Sequence, residues 1–123
     1  MIKKTRKHDE QDLQVSVAQL LDSIPIFKDK WCHVPNGGAR DAKEGARLKK
    51  MGVKKGVPDI LIFKMTKNFY LGFALELKSK TGKITADQEA WLLSFKAEGW
   101  ATEVCDNIDD VMRIITVYYG IKF

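Results

Sequence analysis

The sequence predicts an α/β domain, and three observations carry that prediction. Leu13, Val17, Leu20, Leu21 and Ile24 recur at three- and four-residue steps, as do Val111, Ile114, Ile115 and Tyr118, the spacing of helices that bury one face. Between these stretches lie two short runs with the β-branched and aromatic character of strands, Val57 to Phe63 and Leu71 to Leu77. Helix-like and strand-like segments then follow one another as helix, strand, helix, strand, strand, helix, strand, helix.

The elements follow in chain order. Residues 1–7 read as a flexible basic arm. A helix runs from His8 and ends before Pro25, with Asp9, Glu10 and Asp12 in its first turn, where carboxylates favour the helix dipole in any protein. Trp31 to Val34 form a short strand, closed by Pro35 and the Asn36-Gly37-Gly38 turn. His33 on that strand is expected to satisfy a local hydrogen bond rather than to act as a base, and His8 is a weaker candidate still. Ala39 to Met51 reads as a second helix with Arg40, Lys43 and Arg47 on one face. Gly37 and Gly38 before it would let backbone approach a phosphate, although the spacing of a Walker loop is absent.

Pro58 is tolerable only at the start of the next strand, so Asp59 sits at its mouth. In the following run Phe73, Leu75 and Leu77 alternate with Ala74, Glu76 and Lys78, which puts Glu76 and Lys78 on one face and the apolar set on the other. An antiparallel hairpin that pairs Asp59 with Glu76 centres its turn between Lys67 and Asn68, where the polar residues are. Thr85 is an expected N-cap with Gln88 at the third helical position, a capping box. That helix continues through Trp91, Leu92 and Phe95 to Gly99, with Trp91 read as core rather than as a platform for stacking bases. Trp100 to Cys105 is a fourth strand and Ile108 to Tyr119 a final helix. Tyr118, Tyr119 and Phe123 either pack across an interface or finish the core.

With 123 residues, 45% hydrophobic and 30% charged, the chain is one domain spanning 1–123. No apolar run approaches the length of a membrane span, and the start goes from basic to acidic without an apolar signal region, so the expectation is an intracellular protein. Cys32 and Cys105 stand in no paired motif and are expected to be small buried residues rather than a disulfide or zinc site. The formal charge is +5, from Lys+Arg 21 against Asp+Glu 16. It concentrates between Arg40 and Lys55, where Arg40, Lys43, Arg47, Lys49, Lys50, Lys54 and Lys55 outnumber Asp41 and Glu44. A polyanion is the natural partner of such a run, since neutralised phosphates release counterions, whereas a merely solvated face is the bland alternative.

Asp59 and Glu76 on opposed strand positions would repel unless something positive lay between them. A divalent cation answers that need. Mg²⁺ takes one or two protein carboxylates and leaves positions for water and phosphate. Lys78, one pleat beyond Glu76, points at the same place.

The string Gly56-Val57-Pro58-Asp59, then Glu76-Leu77-Lys78, then Gln88, together with the upstream stretch at 36–52, resembles the PD-(D/E)xK nuclease superfamily. It is closest to the virus-type replication-repair nuclease (VRR-NUC) branch, and the resemblance runs from Glu10 to about Asn107. It implies a restriction-endonuclease-like core, α-β-β-β-α-β, with an extra helix after the first strand and a C-terminal helix. It further implies Mg²⁺ or Mn²⁺ held by Asp59, Glu76, Glu10 and the backbone carbonyl of Leu77, with Lys78 and Gln88 completing the catalytic set and no small-molecule cofactor. Arg40, Lys43, Arg47, Lys54 and Lys55 are then expected to dock DNA. The resemblance further implies that stand-alone members are common in phage genomes, so that the chain, if phage-encoded, is expected in the cytoplasm of a prokaryotic host. They act as homodimers on branched DNA such as four-way junctions in replication, repair and recombination. The alternative is a non-catalytic module that binds nucleic acid on a nuclease-like fold.

Overall fold

A computed structural model describes residues 6–35 and 41–123. Its elements are α1 (Arg6–Asp22), a 3₁₀ turn (Pro25–Phe27), β1 (Trp31–His33), α2 (Ala42–Lys50), β2 (Ile60–Ile62), β3 (Phe73–Leu77), α3 (Ala86–Ala97), β4 (Ala101–Cys105) and α4 (Ile108–Tyr119). Pro25 closes α1 because it can neither donate to the helix ladder nor follow a helical residue without a clash. Asp41 caps α2 by accepting from the Glu44 amide at 2.7 Å. The helix therefore starts at Ala42 rather than Ala39, and the expectations for Asn36, Gly37, Gly38 and Arg40 fall outside the described residues. Arg6 and Lys7 belong to α1 rather than to a basic arm, and the rest of that expectation, residues 1–5, falls outside the described residues.

The four strands form one sheet in the order β1-β2-β3-β4. β1, β2 and β3 are antiparallel neighbours, while β4 returns parallel to β3 after the α3 crossover. Ile60 pairs with Leu75 and Ile62 with Phe73, and one step further along the same ladder brings Asp59 opposite Glu76. The expected register is the observed one.

Leu13, Val17 and Leu21 of α1 meet Val111, Ile114 and Ile115 of α4 over Ile60, Ile62, Phe73, Leu75 and Leu77. α3 lies against β4, beside Thr102 and Val104. β3 is thus an interior strand, paired on both edges and buried from Phe73 through Leu77. The alternation read from the sequence is correct in phase but wrong in consequence, because the face carrying Ala74 and Glu76 is also sealed, with Glu76 only 3% exposed.

Other expectations need correction. Cys32 is exposed on an edge strand, and only Cys105 is a buried thiol. Trp91 is half-buried and stands outside the core cluster. The open question at the C-terminus resolves toward the core for Tyr118 and Tyr119: Tyr118 stacks edge-on against Phe73 at 4.9 Å and Tyr119 against Phe27 at 4.8 Å. Phe123 stays 55% exposed. Among the described residues no helix is long and apolar enough to cross a membrane.

Gly72 leaves no room for a side chain. A Cβ there would stand 2.7 Å from the Ile62 carbonyl oxygen and 2.6 Å from the Trp100 ring. The carbonyl belongs to the neighbouring strand and cannot retreat without breaking the ladder. Gly72→Ala is therefore expected to lower unfolding stability by about 1–3 kcal/mol, the usual cost of overpacking, read from the urea midpoint at unchanged slope.

Candidate active site

Three side chains converge at the open end of the β2–β3 pair. Asp59 precedes β2, and its Oδ2 accepts from the Leu77 amide at 2.7 Å, tying the mouth of one strand to the end of the next. Glu76 lies on the same face, one residue back along β3. Its Oε1 is 3.9 Å from Lys78 Nζ, and both side chains are largely shielded, at 3% and 12% exposure. Glu76 Oε2 is buried without a hydrogen-bond partner.

The electrostatics follow from that geometry. Burial pushes the Glu76 carboxyl up from 4.5 to about 8; the neighbouring Asp59 charge adds to the rise, and Lys78 offsets part of it. Asp59 is also raised, chiefly by burial, against the opposing pull of the Leu77 amide, His33 and Lys78. Two carboxylates that cannot both ionise comfortably are a site short of positive charge. A hard divalent cation would supply it, and the orphaned Glu76 oxygen is a donor such an ion could use. Among the described residues no three His, Cys, Asp or Glu side chains form a ready metal cage. Two carboxylates suffice for Mg²⁺, which keeps most of its waters, so the donor set fits.

The remaining expected residues surround this pair in different ways. Glu10 reaches over from α1 and its Oε1 accepts from the Ser79 amide at 3.2 Å, close enough for its charge to raise Asp59. Leu77 meets the site through its amide. Gln88 spends its side-chain carbonyl on the capping box, accepting from the Thr85 backbone amide at 2.9 Å, while the Gln88 backbone N–H donates to Thr85 Oγ1 at 3.2 Å. Its turn of α3 nonetheless adjoins the loop that leads to Asp59. Gly56, at φ +88°, runs so close to α3 that a Cβ would stand 2.7 Å from the Asp87 carbonyl carbon, so the loop before Asp59 and the first turn of α3 are packed backbone to backbone.

Lys43, Lys54 and Lys55 are exposed. Arg47 is exposed too, but its guanidinium is held by Glu44 at 2.7 Å and touches Met51 Sδ at 3.4 Å. An exposed pair of this kind contributes little to stability.

Two further groups stand beside the pair: His33, which the sequence offered as a local hydrogen-bonding residue, and Ser79, which escaped that reading. His33 Nδ1 is 2.7 Å from the Asp59 carbonyl oxygen, which satisfies the local hydrogen bond expected of it but places the imidazole beside the site. Pairing of β1 with β2, His33 against Ile60, produces this neighbourhood, and knowledge of that partner strand would have revealed it. Ser79 is buried beside Glu10 with an unpartnered hydroxyl. Nothing in the local spacing marks it out. A cleft of about 240 Å³ opens next to these groups at the carboxyl ends of parallel β3 and β4, lined by Lys78, Ser79, Gly82, Cys105, Asp106 and Asp110 among others.

Comparison with known proteins gives the same picture. The family model of the VRR-NUC domain matches residues 9–107. A solved structure described as a VRR_NUC domain protein superposes with a TM-score of 0.78 over 97% of this chain and 92% of that one, at 26% identity. The Fanconi-associated nuclease 1 homolog of Arabidopsis thaliana is 36% identical over 52 residues, which are 41% of this chain and 6% of that much longer protein. Sequence match, fold and the convergence of Asp59, Glu76 and Lys78 agree: the chain belongs to the VRR-NUC domain family of nucleases.

Proposed function

We propose that the protein is a divalent-metal-dependent endonuclease that hydrolyses phosphodiester bonds of branched DNA. The observation that carries this reading is the buried Asp59–Glu76 pair with an unpartnered oxygen, next to Lys78 and downstream of a basic segment. Asp59 and Glu76 would hold the ion, Asp59 kept in place by the Leu77 amide. Glu10 would bind through its free oxygen or through water, and the Leu77 carbonyl would complete the set. Mg²⁺ or Mn²⁺ bound there supplies Lewis-acid polarisation of the phosphate and a water acidic enough to attack at neutral pH. Lys78 sits where its ammonium would neutralise charge that grows on the phosphoryl oxygens. Gln88, anchored by its cap, leaves its NH₂ group to orient substrate or water. Lys43, Arg47, Lys54 and Lys55 would dock the backbone.

The functional unit would be a homodimer, since two equivalent sites on a two-fold axis suit paired cuts in a pseudo-symmetric junction. The segment between β2 and β3 carries exposed Met65, Phe69 and Leu71, with Phe69 at 80%, apolar surface that a second copy could cover. Sizing chromatography tests the stoichiometry. A labelled four-way junction incubated with Mg²⁺, Mn²⁺ or EDTA tests the activity; metal-dependent products are expected, and a salt-sensitive shift with no product in any condition would assign the chain to the non-catalytic alternative.

Asp59→Asn and Glu76→Gln are each expected to reduce turnover by more than about 100-fold, beyond the loss typical of an outer-shell partner, while junction affinity in EDTA is retained. Full metal-dependent cleavage by Asp59→Asn would falsify the assignment. Lys54→Ala with Lys55→Ala should weaken binding across all sequences and shallow the slope of log affinity against log salt by about two.

Stability carries a second signature. Folded Glu76 holds its proton up to about 8, whereas the unfolded chain releases it near 4.5. Between those values the folded state binds more protons, so metal-free stability falls as pH rises through the window and levels off above it. Asp59, raised as well, acts in the same direction. Thermal melts should therefore show a declining midpoint from about pH 5 to pH 8, flattened by Glu76→Gln. Mg²⁺ should restore the midpoint most at the alkaline end, because binding displaces the proton.

A further inference from the structure

We propose that a second cleft, between α2, the end of β1 and α3, receives an unpaired nucleobase of the DNA strand being cut, stacked on the indole of Trp91. The inference rests on the nuclease reading and deepens it by saying what the protein grips next to the scissile phosphate. The cleft has a volume of about 390 Å³ and is lined by Val34, Leu48, Val53, Val57 and Trp91, with Lys54 contributing its one charged side chain. That volume lies within the range of small-ligand pockets, roughly 300–1,000 Å³. A phosphate gains nothing from an apolar lining. A flat heterocycle does.

Position and charge narrow the occupant. Val57 stands two residues before Asp59, a separation of at most about 7 Å along extended chain. The amide of Val34, another lining residue, donates to the Asp59 carbonyl oxygen at 2.9 Å. Two residues of the cleft thus adjoin Asp59, Val57 along the chain and Val34 through this bond, and a base seated there would lie within about one nucleotide of a phosphate at Asp59. Lys54 and exposed Lys55 would meet the phosphates flanking that base, as charge complementarity to a polyanion requires. Trp91 is half-buried, and its ring packs at 6.2 Å and 38° against Phe95. The indole is therefore already restrained, which lowers the ordering cost of using it as a platform. Base–aromatic stacking tolerates any sequence because every base has a π-face. A base is free to enter only where it is not paired, so the cleft would favour forks and junctions over continuous duplex.

The test is an abasic walk. A forked oligonucleotide carries one tetrahydrofuran residue at each position flanking the scissile phosphate, and binding in EDTA is read by fluorescence anisotropy alongside cleavage in Mg²⁺. One position is expected to weaken wild-type binding about tenfold, in line with the loss of a stacked base. Trp91→Phe should keep that position-specific loss and Trp91→Leu should erase it, with thermal melts checking that each variant folds. Val53→Asp, at an exposed wall position, serves as a second variant if Trp91→Leu does not fold, and should erase the same loss. A flat walk in the wild type, or an unchanged loss in the folded Trp91→Leu and Val53→Asp variants, overturns the proposal. So does a change of oligomeric state on Trp91→Leu with the walk unchanged, which would assign the cleft to a second copy of the chain. Cleavage with a flat walk sinks this inference alone, whereas a position-specific binding loss without cleavage in any metal sinks the nuclease reading alone.

Discussion

Asp59 and Glu76 are brought together by pairing of β2 with β3, and their mutual repulsion is the constraint around which the rest of the molecule is arranged. A hairpin of ordinary composition would put such residues in water, where the repulsion is screened. Here β3 is an interior strand, and burial amplifies the conflict instead of relieving it. The Leu77 amide and the Lys78 ammonium compensate in part, the first by hydrogen bonding Asp59 and the second by standing 3.9 Å from Glu76. What they leave over is one carboxylate oxygen without a partner and a carboxyl that keeps its proton to about 8. Folding stability has been given up at this spot, and such concessions cluster where chemistry is done.

The surrounding layers serve that arrangement. α1 and α4 fill the opposite face of the sheet with aliphatic and aromatic side chains, and α1 also delivers Glu10 over the end of β3. α3 contributes through its backbone. Its first turn packs against Gly56, which fixes the loop between the basic segment and Asp59 and leaves Gln88 anchored by its cap. The positive charge of α2 and the following loop therefore adjoins the carboxylates through a short and tightly held connection.

Much of this was legible in the amino-acid order because it rests on local rules. Period-two alternation gave the phase of β3, and pairing Asp59 with Glu76 centred the turn on the polar residues near Lys67 and Asn68, which is the register observed. Thr85 and Gln88 announced a cap that the structure contains. Misread features depended on partners distant in sequence. Burial of Glu76 follows from β4 adding to the far edge of β3 and from helices on both sides of the sheet, neither of which local alternation can reveal. His33 comes next to Asp59 because β1 is an edge strand against β2, and Cys32 is exposed for the same reason. Trp91 looks like a core residue by helical spacing, yet α3 turns it toward the open wall between α2 and β1.

The contacts that assemble the acidic centre differ greatly in chain separation. The bond from Leu77 to Asp59 closes a segment of 18 residues, whereas that from Ser79 to Glu10 spans 69. Loop-closure entropy makes the longer connection costlier by about 1.2 kcal/mol, two doublings of length. During folding the hairpin can therefore bring Asp59 and Glu76 face to face while the amino-terminal helix is still undocked, so the repulsion between the two carboxylates is met before Glu10 arrives.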